Sequence, residues 1–314
     1  MKKYLILLFI FCSTSVFAQF KISGKIKNYT GHEDLKVNIP VVYGYSDANS
    51  VKIHVAKDGS FSTTLPIKEQ KFADLMFRQT FHVLLLSPGK DLTIELNEAD
   101  GKFKILKGTS LIENNLLQTL NIEEYPFFLQ NSDTYIALSL ADMQAKMVKP
   151  YFAVRDKKIA LINNAAITPR NKKLITAELK SAAYNNLYEL IEVSSQYRKT
   201  VDALIIDVFN KASVKPEALP AGPKYYKFAN NYLGYIHTKT NLNKQSQPLS
   251  PMTRFALAIK YLPDAVTEQI TYQHIMLAYY NKDKASAEAL AKVFNDRFPK
   301  SNYTADIKKK ISLL

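Results

Sequence analysis

Cysteine is almost absent from this chain of 314 residues, and its one thiol is Cys12, close to the N-terminus. Lys2 and Lys3 precede an apolar run from Tyr4 to Phe11, and small and polar residues then lead to Ala18. This order of charged, apolar and small residues predicts a secretory signal peptide that is cleaved after Ala18. An uncleaved anchor is the alternative, although the apolar run is shorter than the roughly 20 residues that cross a membrane.

The expected cleavage removes the only cysteine from the mature chain. Disulfide exchange needs a thiolate as its nucleophile, so a thiol–disulfide enzyme is excluded. We predict an exported, periplasmic protein without disulfides, although its compartment would permit them. Lipid attachment at Cys12 is not expected, because the preceding Phe11 is bulky where such signals need a small residue.

Closely spaced glycines and closely spaced histidines are also missing. No two of the nine glycines are closer than seven residues, which excludes a phosphate-binding glycine loop and a Gly-x-Ser-x-Gly turn. The five histidines are never closer than 22 residues, so no local metal motif with two imidazoles is present. Glu123 and Glu124 are adjacent and would diverge on a helix. We therefore predict no catalytic residue, no cofactor and no metal ligand, and a chain that is not an enzyme.

Acidic residues are fewer than basic ones, and the formal net charge of the full chain is +14. The positive charges are spread along the chain, and their longest run is Lys308–Lys310. Cations suit the C-terminal end of a helix dipole, so this run is predicted to be a solvated helix face. Weak contact with an acidic surface is the alternative. A nucleic-acid partner is not expected outside the cytoplasm.

Seven of the nine glycines occur by Gly108, so turns are concentrated in the first third of the chain. FKISGKIKN, which begins at Phe20, alternates apolar and polar residues as a half-buried strand does. Asp58-Gly59, between VKIHVA and FSTTLPI, predicts a hairpin. A second hairpin is predicted from LMFRQTFHVLLL through Ser87–Lys90 to DLTIELN, followed by a turn at Asp100-Gly101. Short strands with tight turns predict an antiparallel β-sandwich over residues 19–110.

The apolar period becomes that of helices after Ser110, which predicts a helical region over residues 111–314 with breaks near 215–223 and 245–251. Asn171–Tyr197 is expected to be one long helix, since apolar residues recur at spacings of four and Pro169 precedes them. Pro150 is expected to bend or separate the helix before it. The predicted fold class is α+β, an N-terminal antiparallel β-sandwich followed by an all-α helical region.

The segment KYYKFANNYLGYIH places Tyr225, Phe228, Tyr232 and Tyr235 along one helical face. A helix must bury such a face, so we expect these rings to pack in the core. The alternative interpretation is a partner-binding groove formed by the same four residues.

Three segments, FKISGKIKN, VKIHVAKDGSFSTTLPI and SPGKDLTIELNEADGKFKILKGTSLIENN, resemble in this order the N-terminal domain of unknown function of secreted thioredoxin-like thiol–disulfide interchange proteins. LITAELKSAAYNNLYELI, KYYKFANNYLGYIH and FNDRFPKSNYTADIKKKI resemble the linker helices that precede the thioredoxin domain in that family. The family's Cys-x-x-Cys would begin beyond Leu314, so no residue here inherits the redox role. The resemblance implies an exported β-sandwich and helical region with a role in recognising or placing partners.

Three functions are compatible with these patterns. A non-catalytic exported binding or adaptor protein, with a protein or peptide as partner, is the preferred one, and the sequence sets no oligomeric state. A truncated or split oxidoreductase, whose thioredoxin domain is encoded separately, is the first alternative. The second is a hydrolase with a site between the two domains, which would need a pocket joining two acids, or an acid and His237 or His274.

Overall fold

The computed structural model describes residues 19–31, 34–216, 221–241 and 249–314. The predicted signal peptide, residues 1–18, lies outside the described residues, as do parts of the predicted breaks at 215–223 and 245–251. Strands occupy the N-terminal part of the described chain and helices follow. This arrangement confirms the predicted α+β class.

Eight strands in the described part of the chain form two sheets. They are β1 (Phe20–Lys27), β2 (Leu35–Asn38), β3 (Ser50–Ile53), β4 (Ser60–Leu65), β5 (Lys71–Phe77), β6 (Thr80–Leu86), β7 (Asp91–Asn97) and β8 (Phe103–Lys107). One sheet has the strand order β4-β1-β7-β8, and the other has the order β3-β2-β5-β6. Residues from both sheets contribute to a single core cluster, as in a β-sandwich.

The alternation of apolar and polar residues that predicted the first strand matches the alternation of buried and exposed residues in β1. Phe20, Ile22 and Ile26 of β1 are buried, and the lysines between them are not. Gly24 lies on the same inward face. An added Cβ there would lie 2.1 Å from the Ile94 carbonyl oxygen of β7 and 2.7 Å from the Phe61 ring of β4. An aromatic ring thus fills the space that glycine leaves in the sheet.

One strand pair departs from the predicted antiparallel arrangement. β1 pairs with β7 in parallel, with Ile22 opposite Leu92 and Gly24 opposite Ile94. Parallel neighbours need a long crossover connection. Here the chain supplies it by passing through both sheets between β1 and β7.

The hairpin predicted at Asp58-Gly59 is confirmed at its turn and one antiparallel bridge, but not for the strands as a whole. Gly59 has a φ of +81°, and the Ala56 N–H donates to the Ser60 carbonyl at 2.8 Å. A single bridge follows between Val55 and Phe61. Beyond it β3 and β4 diverge into different sheets. Turn chemistry reverses the chain, but the pairing of whole strands decides which sheet each one joins.

The second predicted hairpin is wrong, because Ser87–Lys90 connects β6 to β7 and these strands lie in different sheets. The actual hairpin divides the segment that was predicted to be one strand. It joins β5 to β6 at Arg78, which has a φ of +56° without being glycine. The Asp100-Gly101 turn does close a hairpin, in which β7 pairs with β8 and Gly101 N–H donates to Asn97 O at 2.8 Å.

The edge strand β6 is covered by helix α1 (Leu111–Leu120), which also contacts β8. The buried Asn114 side chain accepts a hydrogen bond from the Leu85 N–H at 2.7 Å and donates one to the Leu85 carbonyl at 3.2 Å. One turn later, Gln118 donates to the Val83 carbonyl at 2.8 Å. These two side chains therefore pair with outward-facing backbone groups of the edge strand, which would otherwise be open to another strand.

The remaining described helices follow along the chain. They are α2 (Phe127–Gln130), α3 (Ser132–Ile136), α4 (Leu140–Met143), α5 (Lys149–Asn164), α6 (Pro169–Tyr188), α7 (Leu190–Val193), α8 (Arg198–Phe209), α9 (Pro223–Thr240), α10 (Pro251–Tyr261), α11 (Asp264–Tyr280), α12 (Lys284–Arg297) and α13 (Thr304–Ile311). A π-helical turn, Gln144–Val148, lies immediately before α5, where Pro150 was expected to disturb the helix.

The chain divides into two compact units. The sandwich unit runs to Glu124 and includes Ile162–Lys172, while the helical unit comprises Tyr125–Leu161 and Lys173–Leu314. The segment 162–172 joins the sandwich unit through Asn171, whose side-chain oxygen accepts a hydrogen bond from Gln70 at 2.9 Å.

The long helix predicted over Asn171–Tyr197 is shorter than expected. It begins at Pro169 and ends at Tyr188, and the short α7 and a 3-10 turn follow. Its predicted apolar stripe is buried at Ile175, Leu179, Ala183 and Leu187. The error at the C-terminal end arises because apolar spacing can continue across a change of helix.

A polar cluster joins α9, α10 and α11 inside the helical unit. The Asn230 side-chain oxygen lies 2.9 Å from His274 Nε2 and accepts a hydrogen bond from Arg254 at 2.7 Å. Burial, with a smaller contribution from the Arg254 charge, lowers the pKa of His274 to about 3. His274 is therefore neutral at physiological pH and can donate from Nε2 to Asn230.

Replacing Asn114 by Ala should destabilise the sandwich unit. The substitution leaves the buried backbone groups of Leu85 without partners, and each such group costs about 1–3 kcal/mol. Urea unfolding should therefore show a lower free energy of unfolding for Asn114→Ala. Asn115→Ala, at the exposed neighbouring position, is the control and should stay within about 0.5 kcal/mol of the unsubstituted chain. Equal stabilities of the two variants would contradict the role assigned to Asn114.

His274 should make the stability of the helical unit depend on pH. Its folded-state pKa of about 3 lies below its unfolded value of about 6.5, so between these limits the unfolded chain binds a proton that the folded chain does not. This contribution is complete above about pH 6.5 and is lost as the pH falls, by up to about 1.4 kcal/mol per pH unit.

The measurement is urea unfolding at a series of pH values for the unsubstituted chain and for His274→Gln, which keeps a donor for Asn230. The difference between the two stabilities should shrink or reverse as the pH falls from 7 towards 4. His54→Gln, at an exposed position, is the control. A stability difference that does not change with pH would show that His274 is not held neutral by the fold.

Candidate functional site

The four aromatic residues singled out in the sequence all lie on helix α9. Tyr225, Phe228 and Tyr235 are each only 2% exposed, while Tyr232 is partly buried. The expectation that this face packs in the core is confirmed for the first three residues. The interpretation of the four residues as a partner-binding surface stays a prediction.

These rings belong to a larger aromatic cluster in the helical unit. The Phe228 ring centroid lies 5.2 Å from that of Tyr184 on α6 and 5.9 Å from that of Phe209 on α8. Phe209 also contacts Tyr235, at 5.6 Å. On the other side of Tyr184, Phe152 of α5 makes an edge contact at 5.7 Å. Four helices are thus held together by contacts between aromatic rings.

The N-terminus of α9 is fixed by a buried carboxylate from α6. Glu178 accepts hydrogen bonds from the backbone N–H groups of Lys224, at 2.7 Å, and Tyr225, at 3.3 Å. The Asn185 side chain donates to the Lys224 carbonyl at 2.9 Å. Acidic groups stabilise helix N-termini, so Glu178 holds the start of α9, and with it the Tyr225 and Phe228 rings, against α6.

A cavity of about 260 Å³ lies beside these two rings, entirely within the helical unit. Tyr184, Tyr225 and Phe228 supply its aromatic wall. Its remaining lining consists of cationic, hydroxyl and small apolar side chains: Arg155, Lys180, Lys211, Lys215, Ser181, Ser213, Ala177 and Pro216. Tyr232 and Tyr235 are not part of this lining, so the structure brings only half of the predicted aromatic face to the cavity.

The hydroxyl group of Tyr225 is already engaged, because it donates a hydrogen bond to the Val214 carbonyl. Burial raises the pKa of this phenol well above its usual value, so it stays protonated. Tyr225 therefore closes the loop after α8 onto α9 and presents mainly its ring to the cavity. Tyr225 therefore lines the cavity and does not act as an acid or base.

The described lining contains no carboxylate and no histidine. The pocket that the hydrolase alternative requires, with two acids or an acid and a histidine, is therefore not this one. His274 is bound to Asn230 instead. Across residues 19–31, 34–216, 221–241 and 249–314, no three His, Cys, Asp or Glu side chains are grouped so that they could hold a metal ion. In the same described residues, no helix is long and apolar enough to cross a membrane.

The cationic lining was missed in the sequence. Arg155 lies on α5, Lys180 on α6, and Lys211 and Lys215 in the segment after α8. In the sequence each of them is typical of a surface charge, because no short motif contains all four residues. The one sequence signal in this segment is the spacing of four residues between Lys211 and Lys215, with Pro216 directly after Lys215.

Comparison with known proteins gives no family. No protein-family model matches the chain, and no curated protein sequence matches it. Among solved structures, a candidate cell adhesion protein from Bacteroides ovatus matches 31% of this chain with 9% identity and a TM-score of 0.20. The match spans 45% of that protein's chain. At this TM-score the likeness carries no inference about fold or function.

Replacing Phe228 by Ala should destabilise the helical unit, because the ring contacts side chains from α6 and α8. Truncation of a buried aromatic residue costs about 3–5 kcal/mol. Thermal or urea unfolding should show this loss. Tyr280→Ala, at an aromatic residue that is 51% exposed in the same unit, is the control and should change stability by about 0.5 kcal/mol or less. An unchanged unfolding transition for Phe228→Ala would mean that the α9 face does not hold the unit together.

Proposed function

We propose that this chain is a non-catalytic binding protein, exported to the periplasm, that recognises a protein or peptide through its helical unit. The observation that carries this proposal is the composition of the cavity beside Tyr225 and Phe228. It combines cations, hydroxyl groups and aromatic rings, and its described lining holds no acid or histidine. Such a lining offers charge, hydrogen bonds and apolar surface, which are the contacts of a ligand site. No carboxylate or histidine in this described lining is available for general acid–base catalysis.

The proposal of export depends on the charged, apolar and small-residue order of residues 1–18. The resemblance to the N-terminal part of secreted thioredoxin-like proteins supports the same location. It also favours a recognition role, since in that family the redox chemistry belongs to a different domain.

A split oxidoreductase is the second candidate, and the same resemblance favours it. In that version, this chain would supply recognition and a separately encoded thioredoxin domain would supply the Cys-x-x-Cys. The binding role of the helical unit is common to both candidates. An adjacent coding sequence with Trp-Cys-x-x-Cys would decide for the split enzyme.

The test is a peptide array probed with the chain from Gln19 and with a variant whose cavity is blocked. Ser213 is exposed and lines the cavity, so Ser213→Trp adds a ring there without removing a core contact. We expect a subset of peptides to bind the unsubstituted chain and to bind Ser213→Trp about tenfold more weakly, a difference of about 1.4 kcal/mol.

Ser312→Trp, at an exposed position on the same unit, is the matched control and should bind like the unsubstituted chain. Mass spectrometry of the recovered peptides should find them intact. Binding that is equal for both tryptophan variants, or no binding at all, would refute a recognition role for the cavity. Cleaved peptides would favour the hydrolase alternative.

A further inference from the structure

The sign of the charge around the cavity restricts what it can bind. Its lining has four cationic side chains from α5, α6 and the segment after α8, and no described carboxylate lines it. Like charges that converge on one cavity repel each other, and this repulsion opposes folding. A negatively charged ligand group would be attracted by all four cations together.

The nearest carboxylates only partly offset these cations. Arg155 pairs with its neighbour Asp156 at 2.8 Å and lies over the Phe152 ring at 3.9 Å. Lys211 lies 3.5 Å from Asp207, whose other contact is a hydrogen bond from Gln144. Neither Asp156 nor Asp207 is part of the cavity lining, so the described lining itself carries positive charge.

Lys180 also has an interaction partner. Two other groups bear on the charge around the cavity. The Glu178 carboxylate is occupied by the backbone N–H groups at the start of α9. Lys215 is exposed and forms no ion pair with any carboxylate of the described residues. A ligand could therefore bind the Lys215 ammonium without displacing an ion pair of the described residues. Lys211 is the next most accessible cation, since its side chain is 76% exposed.

The aromatic wall is another part of the lining. Tyr184 and Phe228 have ring centroids 5.2 Å apart, and the hydroxyl of Tyr225 is turned to the Val214 carbonyl. A ligand group beside this wall gains by burying flat apolar surface. A cavity of about 260 Å³ is at the small end of ligand sites, which typically measure about 300–1,000 Å³. It therefore suits one residue and not an extended segment.

We propose that the cavity binds the C-terminal residue of a peptide, with the carboxylate at Lys211 and Lys215 and a bulky apolar side chain against Tyr184 and Phe228. This inference rests on the proposed peptide-binding function and specifies its ligand. A peptide C-terminus is the part of a peptide that carries a carboxylate and an apolar side chain on the same residue. Charge-assisted hydrogen bonds to the carboxylate would give the site its selectivity.

The test compares two probes that differ in one charge, N-acetylphenylalanine and N-acetylphenylalanine amide. Each is titrated into the chain from Gln19 by isothermal calorimetry or by NMR. The acid should bind at least about tenfold more tightly than the amide, and high salt should reduce this preference because the lysines are exposed. Inorganic phosphate, added as a competitor, should displace the acid poorly because it has no group for the aromatic wall.

A double variant tests the assignment of the carboxylate to the lysines. Lys211→Gln with Lys215→Gln should lose the preference for the acid and keep the weak binding of the amide. The matched control is Lys292→Gln with Lys300→Gln, which makes the same change in net charge at exposed positions of the helical unit. This control should bind both probes like the unsubstituted chain. Neither double variant should unfold at a lower urea concentration than that chain, since removing like charges relieves repulsion.

Several results would overturn the inference. These are equal binding of acid and amide, an equal effect of both double variants, and displacement of the acid by phosphate at comparable concentration, which would indicate a general anion site. Different results would refute the proposed peptide-binding function. Peptides that bind the array through internal segments, and lose binding on Ser213→Trp, would support peptide recognition while refuting the C-terminal residue as ligand. Binding of the acid without any peptide binding would refute peptide recognition.

Discussion

The helical unit depends on the packing of Phe209 and Phe228 against each other and against Tyr184. The expected mature chain has no disulfide, so burial of apolar surface must hold its helices in place. A buried aromatic side chain contributes about 1.5–3 kcal/mol, and a favourable ring pair adds about 0.5–1.5 kcal/mol. The three rings come from α6, α8 and α9. Moving any one helix would break contacts with the other two.

The same rings also form the wall of the cavity, which changes how the aromatic face of α9 is understood. Core and groove were alternative interpretations of the four residues in the sequence. In the structure Tyr225 and Phe228 are almost fully buried and still line the cavity. A small cavity set into a core allows both at once. The rigidity of the packed rings then also fixes the shape of the site.

The sandwich shows how far local pattern predicts a fold. Alternation identified β1, β3 and β4, because an inward-facing residue at every second position is required for a half-buried strand. The short β2 was not identified, and the hairpin at Arg78 was missed because a non-glycine residue with positive φ leaves no mark in the sequence. Turns at Gly59 and Gly89 were located correctly and assigned the wrong partners. Which sheet a strand joins is decided by contacts between distant segments.

Two buried polar side chains show a second kind of information that the pattern lacks. Asn114 completes the hydrogen bonds of an edge strand, and Glu178 completes those of a helix N-terminus. In a sequence each reads as an ordinary polar residue on a helix. Each is buried because its partner is a backbone group of another element, and buried backbone groups must be paired. Their role follows from packing and not from spacing.

The role of the cations around the cavity, like that of Asn114 and Glu178, follows from packing and not from spacing in the sequence. These cations also account for part of the positive net charge of the chain. A sequence with a formal net charge of +14 places lysines on many surfaces, where solvent separates them and their individual energies are small. Around the cavity, the fold brings Arg155, Lys180, Lys211 and Lys215 together from three parts of the chain. Their mutual repulsion is a cost to folding, and the aspartates beside Arg155 and Lys211 and the interaction made by Lys180 reduce it. The carboxylate proposed as ligand would remove more of that cost, so the repulsion that opposes folding also favours an anionic ligand.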